Sequence, residues 1–177
     1  FQILLLDNLS GGLEHINSTT IQTDRWIFSD KDLYFRFLST VAHEFFHTWN
    51  VKRIRPIALG PFNYNQENYT KDLWISEGIT SYYDNLILLR SGILNVEQYF
   101  NFLARDIAIV EKSPGRQIQS VAESSFDAWI KYYRQNEESP NVLISYYSKG
   151  AIIGLLLDLA INSATKGQKS IDDVFRK

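Results

Sequence analysis

Two histidines one helical turn apart, with an acid directly after the first, sit in "STVAHEFFHTWN" and set the tightest constraint on what this chain can fold into. At about 100° per residue, His43 and His47 point the same way only if the segment around them is an α-helix. From one helical face both imidazoles reach one zinc ion, and Glu44 beside them reaches a water on that ion. The other reading of the pair is coincidence on a helix surface. The positions Tyr34, Leu38, Val41, Phe45 and Trp49 recur at helical spacing nearly opposite the histidines. That pattern predicts a helix from Ser29 or Asp30, as N-cap, to Asn50, with the aromatic stripe packed into the core and the histidines facing a cleft.

A catalytic zinc takes a third protein ligand and leaves a position for water. Gly at 50 and His at 53 would extend the motif into the metzincin pattern, but Asn50 and Arg53 stand there, which excludes that class. The chain has no cysteine, so a metal is held by His, Asp or Glu, and disulfide and thiolate chemistry are excluded. His15 reads as a hydrogen-bonded structural histidine, which leaves carboxylates. Glu67 falls in a loop, and Glu97 in a first helical turn where a negative charge complements the macrodipole. Glu77, in "LWISEGITSYY", also begins a helix, on the face away from Ile79, Tyr82 and Leu86. A first-turn carboxylate with no further role is the other reading of Glu77.

The rest of the pattern is mostly helical. "FQILLL" reads as a buried strand, and "SGGLEHINSTTIQT" as a glycine turn followed by a Thr-rich edge strand. "RPIALGPFNYNQENYTKD" reads as a loop. A second helix spans "LWISEGITSYYDNLILLRSG" and ends near Gly92. Asn95 caps a third, which runs to Pro114. "SSFDAWIKYYRQ" is a shorter helical piece, "NEESPN" a break, and a long helix spans Ser145 to Thr165 before a stop at Gly167. Ser170 opens a last helix in "SIDDVFRK". These elements predict a mainly α chain with a small N-terminal β portion, β-rich over residues 1–28 and helical over 29–177. A length of 177 residues fits one domain.

Net charge is −2, with the 18 basic residues scattered, so no footprint for a nucleic-acid backbone is present. The apolar run "GAIIGLLLDLAI" is interrupted by Asp158 and reads as too short to span a bilayer. A start at Phe1 inside a strand-like run, without Met or a basic leader, reads as a fragment rather than a signal peptide.

Taken together, "GGLEH", "HEFFHTWNVKRIRP", "LWISEGITSYY" and "SYYSKGAIIGLLLDLAI" occur in an order and spacing that resembles the glycyl aminopeptidase family of gluzincin metallopeptidases, distant relatives of aminopeptidase N. The resemblance implies a thermolysin-like catalytic domain with zinc held by His43, His47 and Glu77 and with Glu44 as general base. It implies removal of small N-terminal residues such as Gly or Ala from a peptide with a free amino terminus. A zinc endopeptidase, another zinc hydrolase and a peptide-binding module with a vestigial site are the competing readings. It also implies flanking parts outside this chain, an N-terminal β domain and a C-terminal PDZ-like module. Extracytoplasmic and cytoplasmic bacterial settings are both compatible with it.

In the related aminopeptidases a tyrosine just before Lys-Gly donates to the oxyanion, which here maps to Tyr147, with Tyr146 the adjacent competitor. Gly11 and Gly12 in "GGLEH" allow backbone to approach a peptide, and Glu14 can pair with a free α-ammonium. An ordinary glycine turn with an exposed acid is the alternative. Lys52, Arg53 and Arg55 follow the zinc helix, where they complement its C-terminal dipole, bind a substrate carboxylate or pair with acids that brace the site. Trp49, Trp74, Tyr82 and Tyr83 read as core and cleft wall.

Overall fold

Alternation decides the sheet. Thr19, Ile21 and Thr23 are all but sealed from solvent while Gln22 between them is exposed, the period-two signature of a strand with one covered face. In the computed structural model, which describes residues 1–176, this strand (β3, Thr19–Asp24) is the centre of a three-stranded sheet. It pairs in parallel with β1 (Gln2–Leu6) and antiparallel with β2 (Gly11–Glu14). Three expectations are corrected here. The Thr-rich strand is central, not an edge. The glycine segment expected as a turn is itself an edge strand. β1, expected to be buried, is also an edge, with Ile3 43% and Leu5 48% exposed. A run of apolar residues signals a strand without saying whether a second layer covers it.

The first helix, α1, spans Lys31–Phe46, and Asp30 caps it by accepting the Leu33 N–H at 2.9 Å. Its buried residues are Phe35, Ala42 and Phe46 on one side and Phe37 and Glu44 on the other, whereas Tyr34, Phe45 and Trp49 of the expected stripe are exposed. Apolar side chains cover a wide arc of the helix, so more than one stripe satisfies the helical period and tertiary partners choose between them. Leu88 and Leu94 make that choice, forming a core with Phe35 and Ala42 that Leu38, Ile87 and Phe102 pack against. Phe46 stacks on Tyr83 with ring centroids 4.2 Å apart. Truncating a fully buried leucine such as Leu88 costs about 2–5 kcal/mol. The helix also ends earlier than expected, at Phe46, with turns over the following residues.

By its own contacts the chain divides into two compact units, Phe1–Asn68 with Tyr83–Arg105, and Tyr69–Tyr82 with Asp106–Lys177. The sheet, α1 and the core just described belong to the first. Helix α2 (Thr80–Arg90) is preceded by a π-helical turn, Trp74–Ile79, where a plain α-helix was expected. Gly92 stops α2 with a positive φ of 77°. Helix α3 (Val96–Lys112) starts as the sequence predicts, with Asn95 and Gln98 exchanging side-chain-to-backbone bonds of 2.8 and 2.9 Å. The segment expected as a loop also carries a short 3₁₀ turn, Ile57–Leu59.

In the second unit the piece expected as one short helix is α4 (Val121–Phe126), opened by a Ser120/Glu123 capping box, followed by a second π-helical turn, Ala128–Tyr132. The expected break at "NEESPN" holds a one-turn helix, α5 (Ser139–Val142), and α6 (Tyr146–Ala164) begins at Ser145, whose side chain accepts the Ser148 N–H. Gly167 follows with φ 80°, and α7 (Asp172–Phe175) is the last element. The first π turn packs backbone to backbone on α6. A Cβ on Gly78 would lie 2.5 Å from Gly150 Cα, and one on Gly150 would lie 2.6 Å from the Trp74 carbonyl oxygen. Taken with α5, the stretch Ser139–Ala164 has the length and composition of a membrane span by those two measures alone, while the apolar run at 150–161 is itself as short as expected. Its Gly150 side is nonetheless occupied by the π turn, and Asp158 accepts hydrogen bonds from the Tyr82 hydroxyl and the Ile171 N–H.

Candidate active site

Burying the Glu44 face of α1 draws His47 inward with it. His47 is 1% and Glu44 6% exposed, so of the two histidines expected to face a cleft His47 is sealed inside. A buried imidazole needs partners, and His47 Nδ1 lies 2.7 Å from the carbonyl oxygen of Asn50. A carbonyl only accepts, so Nδ1 carries a proton, which in the neutral ring leaves the lone pair on Nε2. The turn that offers this carbonyl is closed by the Lys52 N–H to His47 O and the Ile54 N–H to Trp49 O. On the preceding turn His43 Nδ1 stands 3.6 Å from Asp84 Oδ2, which orients the second imidazole in the same sense. Burial pushes the Asp84 carboxyl up from its ordinary range, and the His43 contact opposes that shift. The two rings are 4.6 Å apart and nearly perpendicular.

Two imidazoles, each braced through Nδ1 by an oxygen, are the donor chemistry zinc takes from histidine through Nε2. On this ground the residues of α1 fit a zinc ion. Asp84 and Asn50 were missed in the sequence. Asp84 had a signal, a lone acid inside an otherwise apolar helical stretch, but Asn50 acts through its backbone and had none.

Strand β2 lies close over Glu44. A Cβ on Gly12 would fall 2.2 Å from Glu44 Oε1, so only glycine leaves room for the carboxylate. Gly11 has a φ of 148°, which side-chain-bearing residues rarely adopt. Oxygens of Glu14 and Glu44 and a nitrogen of His47 lie within 4.8 Å of one another. Glu14 is already engaged, because Lys52 Nζ sits 3.0 Å from its Oε1. Of the readings open for the three cations, Lys52 therefore pairs with an acid of the site. Arg55 lies over the Phe62 ring, and Arg53 donates to the Thr48 carbonyl oxygen. Arg53 also lines a cavity of about 490 Å³ with Glu44, Phe45, Trp49, Ile16 and Phe1. His15, Glu67 and Glu97 are exposed.

In the second unit Glu77 is half-buried on the π turn Trp74–Ile79. The glycine contact between this turn and α6 brings it near the tyrosines that open α6. Burial pushes the Tyr147 phenol above its ordinary value, and the negative charge of Glu77 is the next contribution. Tyr146 moves the same way, chiefly by burial, and is 1% exposed, whereas Tyr147 is half-buried. The Tyr133 hydroxyl is within hydrogen-bond reach of both.

The family described as M61 glycyl aminopeptidase matches residues 36–153. Among solved structures, that of an aminopeptidase N family protein from Idiomarina loihiensis is 40% identical over 98% of this chain, with a TM-score of 0.93. This chain spans 31% of that protein's length. No curated protein matches it. The mainly helical fold with one small sheet is thus shared with an aminopeptidase N family protein, and the HExxH segment of this chain falls within the residues the family matches. The chain belongs to the M61 glycyl aminopeptidase family.

Proposed function

We propose that the chain is the catalytic part of a zinc-dependent peptidase on a thermolysin-like scaffold, one that removes small N-terminal residues, glycine or alanine, from peptides with a free amino terminus. One zinc per chain is held by His43, His47 and Glu77. The observation that carries this reading is the bracing of both imidazoles through Nδ1, by the Asn50 carbonyl and by Asp84. Family membership supports it. In the whole protein an N-terminal β domain and a C-terminal PDZ-like module flank this part.

When bound, zinc supplies a water of lowered pKa and polarises the scissile carbonyl. Glu44 takes the proton from the attacking water and delivers it to the departing amine. Tyr147, kept protonated by burial and by the charge of Glu77, donates a hydrogen bond to the carbonyl oxygen as negative charge builds on it. Glu14 accepts the substrate's α-ammonium, and the β2 edge at Gly11 and Gly12 lies alongside the peptide backbone.

One observation favours a second reading, an endopeptidase. Lys52 already neutralises Glu14 and reduces what that carboxylate can offer an amine. One experiment separates the two and tests both. Zinc content is measured on the native protein, and cleavage of a glycyl amide with a free amino terminus is compared with that of its N-acetylated twin, for the parent and for Glu14→Gln. An aminopeptidase rejects the acetylated twin, and Glu14→Gln loses most of that discrimination. Equal cleavage of both by the parent makes it an endopeptidase. Turnover that survives complete removal of zinc sinks both.

A further inference from the structure

Three phenols meet where α6 begins. The Tyr146 hydroxyl donates to the Tyr133 hydroxyl at 3.1 Å, and the Tyr133 and Tyr147 hydroxyls are 3.0 Å apart. Each phenol has one proton to give. The Tyr133 oxygen receives the proton of Tyr146, which leaves Tyr133 its own proton to donate to Tyr147. The Tyr147 proton then points away from Tyr133. Hydrogen bonds in such a row polarise one another, which makes the last hydroxyl a stronger donor.

The fold shows how Tyr133 comes to be there. It follows the π turn Ala128–Tyr132, and its N–H bonds the Ala128 carbonyl five residues back at 3.1 Å. The extra residue in that turn lets Tyr132 and Tyr133 both reach α6. Their tasks differ. Tyr132 packs its ring against Tyr146 at 4.9 Å and sets its hydroxyl 3.3 Å from Ser145 Oγ, the cap of α6. Tyr133 is 64% exposed, so burial of its ring explains little about it. What it contributes is its hydroxyl.

We infer that Tyr133 is a positioning residue for the peptide cleavage proposed above, holding the Tyr147 hydroxyl through the Tyr146–Tyr133–Tyr147 row so that its proton meets the carbonyl oxygen that gains charge. This rests on Tyr147 being the donor in that reaction.

The test measures kcat and KM on a glycyl amide for the native protein, Tyr133→Phe, Tyr147→Phe and the double variant, with inhibition by a phosphinic peptide that mimics the tetrahedral species. Phenylalanine keeps the rings, and thermal melting checks that the fold is kept. Tyr147→Phe lowers kcat roughly 10²- to 10³-fold. Tyr133→Phe lowers kcat about 3- to 10-fold with KM unchanged, weakens the phosphinic peptide by a similar factor, and costs nothing further once Tyr147 is Phe. Full activity of Tyr133→Phe, an effect confined to KM, or an equal loss in the Tyr147→Phe background overturns the inference alone. A silent Tyr147→Phe overturns the role given to Tyr147 and this inference with it.

Discussion

Lys52 and Glu14 form an ion pair of 3.0 Å in which the two side chains are only 13% and 18% exposed. The carboxylate proposed to read a substrate's amino terminus is thus held beforehand by a cation of the chain itself. Two cations sharing one carboxylate repel each other, so Lys52→Met should strengthen amine binding. KM for a free-amine substrate is expected to fall about 3- to 10-fold, the scale of one modest charge contact. A rise in KM would show instead that Lys52 orients Glu14 for its ligand.

Glu44→Gln keeps the shape of a side chain that is 6% exposed and removes its capacity to carry a proton. Turnover should drop by about 10²-fold or more. Zinc content, read by elemental analysis, should stay at the parent level, since Glu44 is assigned to the water rather than the ion.

Asp84→Asn leaves a neutral amide where a carboxylate faces His43 Nδ1 at 3.6 Å. The loss of a negative charge behind an imidazole proposed to bind the metal should weaken zinc affinity about 10- to 100-fold. Competition against a graded series of chelators measures it, and parent-like affinity would leave Asp84 a packing role only.

Two glycine substitutions should have opposite profiles. In Gly12→Ala the new methyl meets only side-chain atoms, Oε1, Cδ and Cγ of Glu44, which must swing aside. Activity should fall at least tenfold with the melting temperature nearly unchanged, because the displaced group is the proposed proton carrier.

In Gly78→Ala the methyl meets the Gly150 backbone at 2.5 Å, which cannot yield cheaply. A loss of about 1–3 kcal/mol is expected, visible as a lower denaturant midpoint. Equal melting behaviour for the Gly12 and Gly78 variants would contradict this contrast.

What could be read from the chain beforehand was local. The cap at Asp30, one of the two expected there, the cap at Asn95, the start of α6 at Ser145 and the stops near Gly92 and Gly167 follow from bonds within a few residues. The need for a helix at His43 and His47 follows from their spacing alone. The buried face of α1 was not legible, because Phe35 and Phe46 compete with Phe45 and Trp49 and the decision belongs to Leu88 and Leu94, far along the chain. The two π turns escaped for a different reason. One added residue changes which carbonyl an N–H meets without disturbing the apolar pattern. The partners of the site residues were hidden likewise, since the Asn50 carbonyl and the pairing of Lys52 with Glu14 depend on how the chain turns after α1.

The contact of Gly78 with Gly150 ties together two main chains with no side chain between them. Glu77 is bonded to one of these glycines, and Tyr147 stands one helical turn before the other. The spacing of carboxylate and phenol is therefore a property of the covalent skeleton, not of rotamers that can be repacked one at a time. Such a joint behaves as a rivet. The first turn of α6 cannot loosen while Trp74–Ile79 stays in place, so in hydrogen–deuterium exchange their amides should open as one event with one rate.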